Sequence, residues 1–137
     1  LGPLLFNLYI NNIVNIDNNV PLIIYADDTS MFFSGDDTDQ ILSTANNFFL
    51  NLNAWTNSNS LKISSSKRKA VLFRSRNTNC FYTSILSLGT HCIDIVKSVK
   101  VLGIIFNQYM SWDETVQQTC QKLSRVVGIM YKYRHII

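Results

Sequence analysis

The distribution of apolar residues along the 137-residue chain predicts an α+β fold. Three observations lead to it. Residues 22–34 form two runs rich in β-branched and aromatic side chains around adjacent acids, the pattern of a β-hairpin. Ile41, Ala45, Phe48, Leu52 and Trp55 recur at helical spacing, as do Val116, Cys120, Leu123, Val127 and Met130 further on. Between these two helical stretches, short β-type runs are separated by turn residues.

In chain order, Pro3 suits a helix start, and Leu4, Leu5, Leu8, Tyr9 and Asn12 continue the helix to about Val14. Residues 15–21 are a polar connector into the hairpin. The second acidic pair, Asp36 and Asp37, precedes the long helix, where carboxylates favour the positive end of the helix dipole; Asp37 or Thr38 is its cap. Each large side chain on that helix's stripe contributes roughly 1.5–3 kcal/mol when buried, which predicts that it packs across the sheet. Short strands are expected at Leu61, Lys62 and Ile63 and at residues 70–73, with a basic loop between them. Residues 77–79 read as a turn, followed by strands at 81–88, 91–96 and 101–106. Gly103 inside the last of these suggests a bulge or a close backbone approach. Ser111, Trp112, Asp113 and Glu114 have the order of a capping box opening the final helix.

Composition narrows the class. The 47% hydrophobic content supports one modest core. No apolar run is long enough to span a bilayer and no signal-peptide pattern appears. Cys80, Cys92 and Cys120 are odd in number and widely spaced, without a Cys/His ligand pattern, so packed, reduced thiols are expected rather than a zinc site. Charge is divided along the chain. Residues 1–61 carry six Asp and no Lys or Arg, whereas residues 62–137 carry all twelve basic side chains against three acids, giving the net +3. An acidic part beside a basic part suits a protein holding a polyanion near divalent cations, and scattered lysines on a solvated face have the same composition.

The acids of the hairpin, Asp27 and Asp28, carry the chemistry. Two carboxylates on a rigid turn offer the hard oxygen ligands that Mg²⁺ prefers. Aspartate is also simply a good turn residue, and the tetrapeptide alone is compatible with either role.

The neighbouring residues add to this. Tyr25, Ala26, Asp27 and Asp28 resemble the YADD box of reverse transcriptases. Residues 1–11 resemble the back half of the preceding palm motif, and Trp55, residues 61–64 and Lys67 resemble the next one. Val101, Leu102, Gly103 and Ile104 resemble the primer-grip segment, followed by Trp112 and a long helix. The wording is similar to non-LTR (LINE-like, jockey-type) retrotransposon enzymes and covers nearly the whole chain. Where the family usually carries Asn and Thr, this chain has Ser64 and Arg68.

The resemblance implies a polymerase palm-type antiparallel sheet in which helices pack the YADD hairpin, then a small β element and a thumb-like helix. It divides the chain into palm (1–76), primer-grip region (77–110) and start of the thumb (111–137). It implies an RNA-directed DNA polymerase acting on an RNA template, a DNA primer and deoxynucleoside triphosphates, in the nucleus or cytoplasm. Asp27 and Asp28 are its metal ligands and catalytic acids, and Lys67 approaches the leaving pyrophosphate. Gly2, Tyr25 and Ala26 lie near nucleotide and template, and Leu102 and Gly103 hold the primer end. A two-Mg²⁺ site needs a third carboxylate from an earlier strand, which is not in this sequence. The chain is therefore expected to be a piece of a longer reading frame, inactive by itself. The alternative is the remnant of a decayed element that binds nucleic acid through its basic half.

Overall fold

The computed structural model describes residues 1–78 and 81–134, which form two compact units: 1–68 with 81–94, and 69–78 with 95–134. The elements are α1 (Gly2–Ile10), a 3₁₀ turn (Asn11–Asn15), β1 (Leu22–Tyr25), β2 (Asp28–Met31), α2 (Thr38–Ser58), β3 (Lys69–Ala70), β4 (Ser87–Leu88), β5 (His91–Cys92), β6 (Asp94–Ile95), β7 (Ser98–Val101), β8 (Ile104–Asn107) and α3 (Asp113–Tyr133). Helices with small antiparallel sheets make this an α+β arrangement.

The first unit is built on α2. Asp37 is its cap, the carboxylate accepting the Gln40 N–H at 3.2 Å, while Asp36 lies exposed outside the helix. The buried stripe is Leu42, Ala45, Phe48, Phe49 and Leu52, ending at Thr56. Phe48 and Leu52 are the most deeply enclosed, at 2% and 1% exposure. Phe33, just past β2, meets Phe48 and Phe49 edge to face at 5.7 and 5.9 Å between centroids, so the exit of the hairpin is seated on the helix. The helix closes in a Schellman turn. Leu61 N–H donates to Thr56 C=O and Ser60 N–H to Asn57 C=O, with Ser60 at φ +53° where glycine is usual. The Tyr9 hydroxyl donates to the Asn59 carbonyl and ties α1 to this end.

Residues 83–89 run along α2 past three polar side chains spaced seven apart, of which Asp39 and Asn46 bind the segment's main chain. Asp39 accepts the N–H groups of Thr83 and Ser84 at 3.1 and 3.2 Å. Asn46 donates to Ile85 C=O at 2.8 Å and accepts from Ser87 N–H at 3.0 Å. Asn53 lies against Gly89, whose φ of +63° turns the β4–β5 hairpin. Leu86, Leu88 and Ile93 bury themselves in this unit's core.

In the second unit β7 and β8 pair from Ser98↔Asn107 to Val101↔Ile104. Arg74 N–H joins Gln108 C=O and Gln108 N–H joins Lys97 C=O, both at 2.8 Å, and Val96 N–H reaches Ala70 C=O. Asn107 is buried and bonded at both ends of its carboxamide: its Oδ1 accepts from Tyr109 and Ser111 N–H, and its Nδ2 donates to Ser111 Oγ. Thr115 docks the first turn of α3, its hydroxyl accepting from Ile105 N–H and donating to Ile105 C=O.

Several expectations are corrected. The first helix is α only to Ile10 and then tightens to a 3₁₀ turn whose Ile13 is buried. Residues 61–63 form no strand, residues 70–73 contribute only Ala70, and the expected strand at 81–88 is confined to its last two residues. Side chains of α2, not a strand ladder, bind the rest of that segment. Gly103 is not a strand bulge: with Leu102 at φ +49° and Gly103 at +90° it forms the turn of a hairpin, and nothing lies within 4 Å of where its Cβ would be. The capping box does not form. Trp112 is the cap position of α3, and Ser111 Oγ donates to the Asp113 carboxylate instead. The stripe expected to be buried on α3 is exposed, Val127 by 61%; among the described residues, α3 is docked through its first turn. Cys92 and Cys120 are free and exposed rather than packed. Cys80 and the last residue of the 77–79 turn lie outside the described residues.

Candidate active site

β1 and β2 pair antiparallel in the register Leu22↔Met31, Ile23↔Ser30, Ile24↔Thr29 and Tyr25↔Asp28. Only Ala26 and Asp27 remain to make the turn. A two-residue hairpin loop needs positive φ where it reverses, and Ala26 supplies it at +52°, a conformation that favours glycine. The ladder continues one step outward as Phe32 N–H donates to Pro21 C=O. Tightness of this loop places Tyr25, Asp27 and Asp28 within four consecutive residues at one tip, all exposed.

Pleating sorts the remaining side chains. Leu22, Ile24, Thr29 and Met31 are half-buried, whereas Ile23, Tyr25 and Asp28 on the other side are exposed, with Ser30 half-buried opposite Ile23. The hairpin is a two-stranded sheet, so both of its edges are unpaired among the described residues.

The two carboxylates suit one mode of metal binding and not another. Mg²⁺ is commonly held by one or two carboxylates, with water and phosphate oxygens completing its shell, and exposed adjacent acids on a fixed turn offer that. No group of three or more His, Cys, Asp or Glu side chains able to enclose a metal occurs among the described residues. The site therefore fits a cation shared with a phosphate ligand rather than one caged by protein.

The other candidate residues lie on different elements. Gly2 is exposed as the first residue of α1, with nothing within 4 Å of a Cβ placed there. Lys67 is exposed in the loop between Ser64 and Lys69. Arg68 secures that loop, its Nε donating to Ser64 C=O and its terminal nitrogen to Leu88 C=O, both at 3.2 Å. Ser64 and Arg68 are thus bonded to each other. Leu102 and Gly103 form an exposed hairpin turn in the second unit.

Charge follows the division into units. The first carries three basic against seven acidic side chains, the second nine against two, or −4 and +7. Within the second unit, Arg74 and Arg76 lie over the Tyr109 ring at 5.4 and 5.7 Å from its centroid. The Arg-Ser-Arg run was the only trace of this cluster in the sequence, because its tyrosine lies 35 residues from Arg74. Among the described residues, no helix is long and apolar enough to cross a membrane.

No match to the chain is found among curated proteins or solved structures. A family model described as Reverse transcriptase (RNA-dependent DNA polymerase) matches residues 1–106, which include the acidic hairpin, the Lys67 loop and the Leu102–Gly103 turn. The chain belongs to the reverse transcriptase family.

Proposed function

We propose that the chain is the C-terminal palm and thumb base of a non-LTR retrotransposon reverse transcriptase, with Asp27 and Asp28 as its metal-binding acids. One observation carries the reading: a two-residue turn fixes both carboxylates at the exposed tip of a hairpin, inside the family-matched region. On this reading residues 1–76 are palm, 77–110 the primer-grip region and 111–137 the start of the thumb.

Nucleotide addition is phosphoryl transfer, in which positioning and charge neutralisation do most of the work. Bound Mg²⁺ supplies Lewis acidity toward the primer 3′-hydroxyl and the departing oxygen. Asp27 is the principal ligand, and Asp28, paired across the ladder with Tyr25, orients it. Tyr25 and Ala26 border the nucleotide and template, with Gly2 approaching them at the start of α1. Lys67, which makes no hydrogen bond or ion pair among the described residues, directs its charge to the leaving pyrophosphate. The Leu102–Gly103 turn meets the primer end through its backbone.

Two carboxylates make an incomplete clamp for two ions, so these 137 residues alone extend no primer. A longer chain that adds a third carboxylate extends a DNA primer on an RNA template, and Asp27→Asn abolishes this. Retained extension by that variant overturns the assignment. The +7 unit favours a second reading, a remnant that only binds nucleic acid. In that case salt-sensitive binding occurs in a longer chain that never extends a primer.

A further inference from the structure

We infer that Arg74, Arg76 and Tyr109 form a preorganised site for a backbone phosphate of a nucleic-acid duplex; this rests on the polymerase reading and names a contact outside the acidic hairpin. Two guanidinium groups share one aromatic ring, at 5.4 and 5.7 Å from its centroid. Two cations gathered on one ring repel each other. The ring's negative face compensates in part. Arg74 also donates to Thr78 C=O and, at 3.4 Å, to the Tyr109 hydroxyl. The acid facing the cluster is Asp113, 3.6 Å from Arg76 in a pair whose side chains are 68% and 80% exposed. An ion pair so open to water is weak. The cluster therefore keeps a net positive charge in a unit that is already +7.

Its parts are held in place before any ligand arrives. Arg74 is fixed by its main chain to Gln108, and Tyr109 by its N–H to the buried Asn107. Arg76 keeps its donors accessible, and a planar guanidinium matches two phosphate oxygens at once. A phosphate displaces Asp113 from Arg76, while Arg74, already bonded to Thr78 and Tyr109, adds positive potential beside it.

The test measures binding of the 137-residue chain to a short mixed-sequence DNA duplex by fluorescence anisotropy over a range of salt, without Mg²⁺. Arg76→Gln is expected to weaken binding and lower the slope of log K against log[salt] by about 0.9, the share of one phosphate contact. Asp113→Asn is expected to strengthen binding, since it removes the competing carboxylate. Arg76 is exposed, so its replacement leaves the fold intact, and Lys122→Gln on α3 measures the effect of losing any one charge. If Arg76→Gln and Lys122→Gln lower affinity and slope equally, and Asp113→Asn changes neither, the site does not exist, although the polymerase reading stands. If the unaltered chain does not bind the duplex even at low salt, the site does not exist, and the polymerase reading is decided separately by primer extension in the longer chain.

Discussion

Asn46 holds Leu86 by the main chain on either side of it. The carboxamide donates to Ile85 C=O at 2.8 Å and accepts from Ser87 N–H at 3.0 Å, leaving the Leu86 side chain buried in the core. A single side chain here provides both bonds a neighbouring strand would give. Asn46→Ala removes both and strands two main-chain groups, so it should lower unfolding free energy by about 1–3 kcal/mol. Urea denaturation of the two proteins checks this.

Asp39 provides a pH dependence. The N–H of Thr83, then the hydroxyl and N–H of Ser84, hold its carboxyl below the ordinary carboxylate range. A depressed pKa means the unfolded chain takes up the proton first as pH falls. The stabilisation is thus complete above the ordinary carboxylate value and is lost as pH drops below about 4, through the lower folded value. Asp39→Asn should flatten that part of the stability–pH curve while leaving its shape near neutrality unchanged. Melting temperatures of both proteins between weakly and strongly acidic buffers decide it.

Gly89 tests the same line of contacts from the other side. Its φ of +63° disfavours any Cβ, and one built there meets Asn53 Oδ1 at 3.3 Å. Gly89→Ala should cost about 1–2 kcal/mol through the backbone alone. Adding Asn53→Ala relieves only the contact, so the double variant recovers part of the loss. A double-mutant cycle by chemical denaturation separates the two.

The enclosed end of the aromatic trio should dominate core energetics. Phe48→Ala leaves a cavity beneath Phe33 and Phe49 and should destabilise by about 3–5 kcal/mol. The half-buried Trp55, on the edge of the same helix face, should cost less when truncated. Thermal unfolding of both variants gives the comparison.

Two tight turns carry side chains where glycine or asparagine is easier. Ala26→Gly and Leu102→Asn should each raise stability by about 0.5–1 kcal/mol, relieving left-handed backbone at φ +52° and +49°. Scanning calorimetry of the single variants measures the gain.

What the sequence made legible was local. The helix α2, the Asp37 cap and the two-strand pattern around Asp27 depend on near neighbours, and each appears in the structure, although the buried face of α2 includes Leu42, Phe49 and Thr56 and leaves Ile41 and Trp55 half-buried. What it hid was carried by distant partners. Nothing in residues 81–86 announces that Asp39 and Asn46, some forty positions earlier, bind their backbone. The valine and isoleucine around Leu102 and Gly103 suggest an unbroken strand, yet the chain reverses there. On α3 the spacing correctly grouped Val116, Cys120, Leu123, Val127 and Met130 on one face, but spacing does not reveal whether that face is covered. For the acidic hairpin, the residues that form its tip were readable, because the tip is four consecutive positions. The arginine–tyrosine cluster was not, because two stretches 35 residues apart build it.

The line of Asp39, Asn46 and Asn53 works because two different pitches agree. Seven residues of α-helix advance roughly 10.5 Å, and three residues of extended chain advance nearly as far, about 10 Å. Steps of seven along α2 therefore keep pace with steps of three from Thr83 through Leu86 to Gly89. Such a vernier tolerates substitution more readily than slippage: deleting one residue between Thr83 and Gly89 would put every later tooth out of mesh, and no sliding of the segment would restore it.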